Sequence, residues 1–214
     1  PTMISQLRIY TVNKGMTDQW VKHFTEVLVP LQEKYGIKIG GMWVNEDKNQ
    51  FIWTRSFADA EDVTAKEAAF YGSAEWSGTV DHTRSHIART VVQAMEPATK
   101  VEGDGLTIGS EKVSQLRMYT VNGGMMDKWV RLFSETLVPL QENLGMKIDA
   151  MWVNGDKNQF IWIRSFADAE DLKAREAAFG ASPDWQAIRE NAGSHLARLD
   201  VITMNAVARV PVSA

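Results

Sequence analysis

Apolar and polar residues alternate along some short stretches of this chain and recur at helical spacing along others. Over residues 6–12, Leu7 and Ile9 alternate with polar neighbours, which predicts a half-buried strand. Over residues 16–34, apolar side chains recur every three or four positions and predict an amphipathic helix. Pro30 falls late in that apolar stripe, so the last turns of the helix are expected to bend or thin.

The following stretches predict two strands, two helices and a final strand. Gly36 is expected to end the first helix in the left-handed conformation. Strands over 37–44 and 50–57 form a predicted hairpin, a helix opens at residue 59 or 61, and a further helical piece starts at Ser73. Residues 86–95 complete the unit as a β-rich run. The order βαββαβ is that of a ferredoxin-like sheet.

This pattern occurs twice in the chain. The sequence SQLRIYTVN at 5–13 returns as SQLRMYTVN at 114–122, and the match continues without a gap at roughly 60% identity. We therefore predict a first unit over 1–96, a linker over 97–112 and a second unit over 113–214. Each sheet carries its helices on one face, so the two bare faces are expected to pack together as an intramolecular dimeric α+β barrel.

Five sequence features resemble those of a known family. They are the opening Gln6-Leu-Arg-Ile-Tyr-Thr, the helix end Leu-Val-Pro30-Leu-Gln-Glu, the Gly-x-Trp43 strand, the Asn49-Gln50 strand start and the Glu-Trp76 helix start. Together they resemble the NIPSNAP family of the dimeric α+β barrel superfamily, over nearly all of both units. The resemblance implies the fold; the superfamily's activities include cofactor-free monooxygenases, polyketide cyclases, haem enzymes, lyases and isomerases, beside proteins of no known reaction. Family members often carry a histidine or other polar residue and a tryptophan along the third strand, where this chain has Trp53 and Arg55.

Composition narrows the classes of partner. A net charge of −4 and a pI near 5.6 leave no basic stripe for nucleic acid. No apolar run approaches the roughly 18–20 residues that span a bilayer. The absence of cysteine excludes thiol nucleophiles and thiolate metal sites. We expect a cytoplasmic protein that binds a small hydrophobic or aromatic molecule; the sequence leaves open whether it forms a homo-oligomer.

The candidate catalytic residues are His23, Arg55 and Tyr10. His23 stands in the apolar stripe of the first helix, where its counterpart is Leu132. A histidine there is either a satisfied core residue or a general base or haem ligand in a pocket between helix and sheet. Arg55 shares a strand face with aromatic residues, and together with Tyr10 or Arg8 it is predicted to hold developing negative charge.

The candidate binding residues are Arg8, Trp53, Trp20, His82 and His86. The tryptophans are either core fillers or walls of an aromatic pocket. Arg8 alternates with apolar residues and, in a closed barrel, is expected to point inward or toward the other unit. The i, i+4 spacing of His82 and His86 could bind a metal on one helix face, but His86 is expected in the strand and no third ligand is evident.

These residues predict an enzyme without a bound cofactor, acting on an oxygen-bearing substrate in a pocket of the first unit. Lyase, isomerase, cyclase and cofactor-free monooxygenase chemistry all fit the candidates. A non-catalytic ligand-binding or assembly protein is an alternative, and a haem protein with His23 or His86 as axial ligand is another.

Overall fold

In the computed structural model of the protein, residues 2–99 and 111–209 are described. The chain divides into two units, Pro1–Met95 with Ala206–Ala214, and Glu96–Asn205. The C-terminal boundary of the second unit differs from the predicted one, because residues after Asn205 contact the first unit. The backbone N–H of Val207 donates to the Met42 carbonyl, and Arg209 pairs with Glu33 at 2.8 Å. Residues 100–110 of the predicted linker lie outside the described residues.

The first unit has the predicted βαββαβ order. Its elements are β1 Ile4–Val12, α1 Thr17–His23, a π-helical turn Phe24–Leu28, α2 Val29–Lys34, β2 Lys38–Asn45, β3 Gln50–Phe57, α3 Ala60–Tyr71, α4 Ala74–Arg84 and β4 Ile87–Pro97. The strands form an antiparallel sheet in the order β4-β1-β3-β2. Asp59 and Ser73 cap α3 and α4 by accepting from backbone N–H groups, and Gly36 has the expected positive φ of 80°.

The second unit repeats this arrangement. Its elements are β5 Val113–Val121, α5 Met126–Leu132, a π-helical turn Phe133–Leu137, α6 Val138–Asn143, β6 Lys147–Asn154, β7 Gln159–Phe166, α7 Ala169–Ala181, α8 Pro183–Ser194 and β8 Leu196–Ala206. Its antiparallel sheet has the order β8-β5-β7-β6. The predicted fold class, α+β with two tandem ferredoxin-like units, is confirmed. Across the described residues, every helix is too short or too polar to cross a membrane.

The predicted bend near Pro30 takes the form of a π-helical turn. The N–H of Val29 donates to the Phe24 carbonyl five residues back, and Pro30, which lacks an N–H, stands in the first turn of α2. The wider turn shifts the helix face that meets the sheet. Gln32 is consequently buried, whereas Val27, which the predicted apolar stripe includes, is 41% exposed.

The polar residues of β1 lie on the sheet face that the helices of their own unit cover. Arg8 pairs with Trp53 and Gln6 with Arg55 across β1 and β3, and directly paired residues point to the same face. Trp53 belongs to the core cluster that contains Trp20 of α1, with Tyr10 packed against it. The expectation that Arg8 points into a barrel or toward the other unit is therefore wrong, because its face is the helix-covered one.

Candidate functional site

A buried arginine lies under the helices of each unit. In the first unit Arg55 is 1% exposed, and its guanidinium donates to Gln6 Oε1 at 2.8 Å, Gln32 Oε1 at 2.8 Å and Tyr71 Oη at 3.3 Å. The Glu67 carboxylate lies 3.8 Å from it. Neutral oxygens thus take most of the donors of Arg55, and the ion pair is long.

The second unit has the same arginine with a closer carboxylate. Arg164 donates to Gln115 Oε1 and Gln141 Oε1, each at 2.9 Å. Its third contact is Glu176 Oε1, also at 2.9 Å. Glu176 replaces the tyrosine hydroxyl as the third partner because the counterpart of Tyr71 is Gly180.

A second arginine stands beside the first on the same sheet face. Arg8 donates to Tyr10 Oη at 2.8 Å and to Gln6 Oε1 at 3.1 Å, with its guanidinium carbon 5.5 Å from the centre of the Trp53 ring. Arg117 repeats these contacts with Tyr119 and Gln115 at 2.7 and 3.2 Å. Within the described residues, neither Arg8 nor Arg117 has a carboxylate at ion-pair distance.

One substitution between the units decides how far the space above these arginines reaches. In the first unit, the Tyr71 ring packs 5.4 Å from Trp76 and its hydroxyl reaches Arg55. In the second unit Gly180 leaves this volume empty, and a Cβ built on it meets nothing within 4 Å. Phe70, the neighbour of Tyr71, is 2% exposed, whereas its counterpart Phe179 is only half-buried and borders the space.

The resulting cavity in the second unit has a volume of about 370 Å³. Its apolar walls include Trp129, Phe133, Leu137, Trp162, Phe179 and Trp185. Its polar lining includes Arg117, Tyr119, Gln141, Arg164, Glu176 and Arg189. Three guanidinium groups therefore face one carboxylate in a space whose walls are mostly aromatic.

The charged form of Arg164 is less favourable in the ligand-free protein than in water. Burial, and after it the neighbouring guanidinium of Arg117, lower the pKa of Arg164 to about 10. A negative group between the two arginines would act in the opposite direction and stabilise both charged forms. The electrostatics of the cavity favour an anionic occupant.

The first unit has a cavity of about 530 Å³ at the equivalent place. Of the predicted site residues, Arg8, Tyr10 and Trp20 line it, and Tyr71, Trp76 and Thr83 complete its inner wall. Arg55 and Trp53, also predicted for the site, are 1% and 2% exposed and do not line it. The sequence therefore identified three of its lining residues.

The three histidines of the first unit form a separate cluster. The His23 ring centre is 4.9 Å from that of His82 and 5.7 Å from that of His86, and His23 Nε2 lies 2.8 Å from Thr83 Oγ1. Burial, and then the charges of His82 and His86, lower the pKa of His23. The expected sheet-facing position of His23 is wrong, because the neighbouring Trp20 and Phe24 take it. His23 does not line the first cavity, but it contacts two residues that do, Thr83 through a hydrogen bond and Trp20 through a ring contact at 6.1 Å.

The histidine cluster does not fit the metal or haem alternatives. Helix α4 ends at Arg84, and His86 turns its Nδ1 to the carbonyl oxygen of His82 at 2.8 Å. Among residues 2–99 and 111–209, no three histidine or carboxylate side chains are arranged to hold a metal ion. Neither cavity has a histidine in its lining, so neither offers a haem an axial imidazole.

Sequence reasoning missed several residues of the second cavity. Gln141, Glu176 and Gly180 do not stand out in the sequence as site residues. Gln141 could have been found only from the helix geometry, because the π-helical turn brings this polar residue to the buried side of the helix. Its counterpart Gln32 is buried in the same way. The signal for Glu176 was weak, because an acidic residue in an amphipathic helix is usually solvated.

Family comparison agrees with the repeated fold. The NIPSNAP family model matches residues 5–100 and again 114–210. The chain belongs to the NIPSNAP family. No curated protein matches it.

Solved structures share the fold over the full length of this NIPSNAP chain. A candidate monooxygenase from Lactobacillus acidophilus NCFM is 14% identical with a TM-score of 0.65, over 96% of this chain and 94% of that one. An anthrone oxidase-like protein is 11% identical with a TM-score of 0.66, over 100% and 98%. A candidate monooxygenase from Fusobacterium nucleatum is 8% identical with a TM-score of 0.62, over 97% and 93%. At these identities the likeness concerns the fold alone.

Proposed function

We propose that this NIPSNAP protein is an enzyme without a bound cofactor that takes a planar aromatic molecule with an ionised or ionisable oxygen into the cavity of its second unit. The observation that carries the proposal is that Arg117 and Arg164 line one aromatic-walled cavity with a single carboxylate, Glu176. The sequence favoured the first unit for this role. The second is preferred because Gly180 leaves open the path to the buried arginine that Tyr71 closes in the first.

The walls and the volume suit an aromatic ligand. About 370 Å³ lies within the roughly 300–1,000 Å³ of small-molecule sites. Phe133 packs edge-on against Trp162 at 4.8 Å, and Phe179 lies 4.7 Å from Trp185. A flat ring between such walls gains both burial and aromatic contact.

The arginines select the charge of that ligand. Glu176 pairs with Arg164, and within the described part of the chain Arg117 is bound only to the neutral oxygens of Tyr119 and Gln115. A half-buried guanidinium without a carboxylate is stabilised by an anion that can accept from it. A phenolate, enolate or carboxylate oxygen meets this requirement.

The same groups can ionise a weakly acidic substrate and hold the product anion. Glu176 Oε1 is occupied by Arg164 and Gln115, whereas Oε2 accepts no hydrogen bond among the described residues. We assign Oε2 as the proton acceptor and Arg117 as the donor that holds the resulting oxyanion. An electron-rich ring carbon of such an anion can react with O₂. For a ring CH₂ group, one O₂ gives one carbonyl and one water, and no external reductant is needed.

Binding is tested by titration with 1-hydroxy-2-naphthoate, followed by calorimetry and tryptophan fluorescence. We expect one site per chain and no saturable binding of 2-methylnaphthalene, which has the rings without the oxygens. Arg117→Gln should weaken binding about 10–100-fold, since a hydrogen bond to a charged group contributes roughly 1.5–3 kcal/mol. The matched variant Arg8→Gln should leave it unchanged. Equal losses in both variants, or equal binding of the hydrocarbon, contradict the proposal.

Catalysis is tested by oxygen uptake with anthrone as substrate. We expect uptake by metal-free protein, and a decrease of about 10²–10⁴-fold in Glu176→Gln with naphthoate binding retained. The matched control is Glu67→Gln in the first unit. Binding without any turnover of anthrone or related ring ketones would leave the ligand-binding function and remove the enzymatic one.

A further inference from the structure

We propose that the cavity of the first unit is a second, chemically different site, which binds a multiply charged oxyanion. The proposal goes beyond the aromatic site of the second unit and does not depend on it. It rests on what the two copies place at equivalent positions around their cavities.

The cavities differ consistently at equivalent lining positions. In the first unit Thr83, Arg84 and Thr90 line the cavity. In the second unit the same positions are the lining residues Ala192, Gly193 and Leu199. Hydroxyl and guanidinium groups of the first unit thus stand where the second has apolar or no side chains. The first cavity is the polar one.

The arginines that line the first cavity form no ion pair within the described residues. Arg8 and Arg84 line it, whereas Arg89 borders it from β4, where it pairs with Thr11 and so points to the sheet face opposite Tyr10 and Arg8. The charge of Glu67 acts on Arg8 from beyond ion-pair distance. Neither aspartate nor glutamate is among its lining residues. The counterpart of Arg84 in the second unit is Gly193. The lining of the second cavity includes the Glu176 carboxylate, so of the two cavities only the first has arginines in its lining without a carboxylate.

The hydroxyl groups add donors rather than acceptors. Tyr10 Oη accepts from Arg8 and Tyr71 Oη accepts from Arg55, so the O–H hydrogen of each is left to donate. Neither hydroxyl has an acceptor among the described residues. Two guanidinium groups and two phenol O–H groups therefore meet one cavity that offers few acceptors. Its ligand must supply the acceptor oxygens and the negative charge.

This lining selects an oxyanion with two or more negative charges. Guanidinium groups bind phosphate and carboxylate oxygens in pairs of parallel hydrogen bonds, and two of them match two negative charges. Trp20 and Trp76 form the remaining inner wall and can contact an apolar part of the ligand. A phosphate monoester and a polycarboxylate share this chemistry.

The test is calorimetric titration of the full chain with phenyl phosphate and with citrate, at constant ionic strength set with NaCl. We expect saturable binding of at least one of them at one site per chain. The two titrations separate the phosphate from the polycarboxylate. If neither binds at millimolar concentration, the proposal is overturned.

A matched pair of variants locates the site. Arg84→Gln should weaken binding at least about 10-fold, and Arg89→Gln, on the opposite face of the sheet, should leave it unchanged. Both residues are exposed, so both variants should keep the parent melting temperature. Equal losses in the two would indicate general charge attraction and would refute a built site.

Competition separates this proposal from the proposed function. The oxyanion should leave the affinity for 1-hydroxy-2-naphthoate unchanged, because the two ligands occupy different units. Oxyanion binding in a protein that does not bind the naphthoate would support this site and refute the aromatic one. Full mutual displacement would show a single shared site and contradict this proposal.

Discussion

Replacing Gly180 by tyrosine should close the second cavity. The expected position of the new ring follows from the first unit, where Tyr71 packs 5.4 Å from Trp76 and reaches the buried arginine. A Cβ at position 180 meets nothing within 4 Å, so the backbone accepts the change. An aromatic ring buries about 150–200 Å² in such a site, which at about 25 cal/mol/Å² contributes roughly 4–5 kcal/mol. Losing that burial corresponds to about a thousandfold weaker binding of 1-hydroxy-2-naphthoate.

The matched control is Gly180→Ala. It adds a methyl group near the end of α7 and should raise the free energy of unfolding by up to about 1 kcal/mol while leaving ligand affinity within a factor of about 3. Calorimetric titration and thermal unfolding of the two variants give both quantities. If Gly180→Tyr folds and binds the naphthoate as tightly as the parent chain, the ligand does not use this cavity and the reasoning fails.

Three further predictions follow from the same structure. Tyr71→Gly should extend the first cavity toward Arg55 and lower the melting temperature by several degrees, as the lost ring contacts cost about 1–3 kcal/mol; an unchanged melting temperature would contradict the packing described for Tyr71. The lowered pKa of His23 means that the unfolded chain binds a proton at His23 more tightly than the folded chain, so the contribution of His23 to stability should be complete above the unfolded pKa of about 6.5 and be lost as pH falls below it. Urea unfolding from pH 8 to 5 should therefore show a smaller loss of stability in His23→Leu, which carries the residue of the second unit; identical profiles would exclude His23 as a source of the pH dependence. Residues 1–97 expressed alone should dimerise or aggregate, because one ferredoxin-like sheet leaves a face without helices; a stable monomer on gel filtration would disprove the expected intramolecular barrel.

The fold was predictable because its signals are local and occur twice. Short-range chemistry specifies each element. The alternation over residues 6–12 specifies a strand, and the caps Asp59 and Ser73 specify the starts of α3 and α4. The second unit then shows the same pattern again, which supports each prediction made for the first. The NIPSNAP features extended this to the family, which the family comparison confirms.

The helix phase was not predictable in the same way. Counting by 3.6 residues places Val27 on the buried side, but the π-helical turn before Pro30 adds a residue to that turn. Val27 is exposed and Gln32 is buried as a result. A periodicity argument assumes one helical geometry throughout, and a proline late in a long apolar stripe is the point at which to doubt it.

The candidate site was predicted only in part because its key feature is an absent side chain. Arg8, Tyr10 and Trp20 could be identified as residues of one face, and they line the first cavity. His23 stands out in the sequence as a polar residue at the position of Leu132, yet it lies outside the cavity and hydrogen-bonds the lining residue Thr83. Gly180 carries no chemistry of its own, and its effect depends on which ring Tyr71 contacts in three dimensions. The catalytic role of His23 remains a prediction.

The most direct test of the central claim is a crystal structure of the protein bound to 1-hydroxy-2-naphthoate. We predict the two rings between the aromatic walls of the second cavity, with a ligand oxygen within hydrogen-bond distance of the Arg117 guanidinium and the ring edge over Gly180. A naphthoate bound in the first unit beside Arg8, or on the surface with an empty second cavity, would contradict the account.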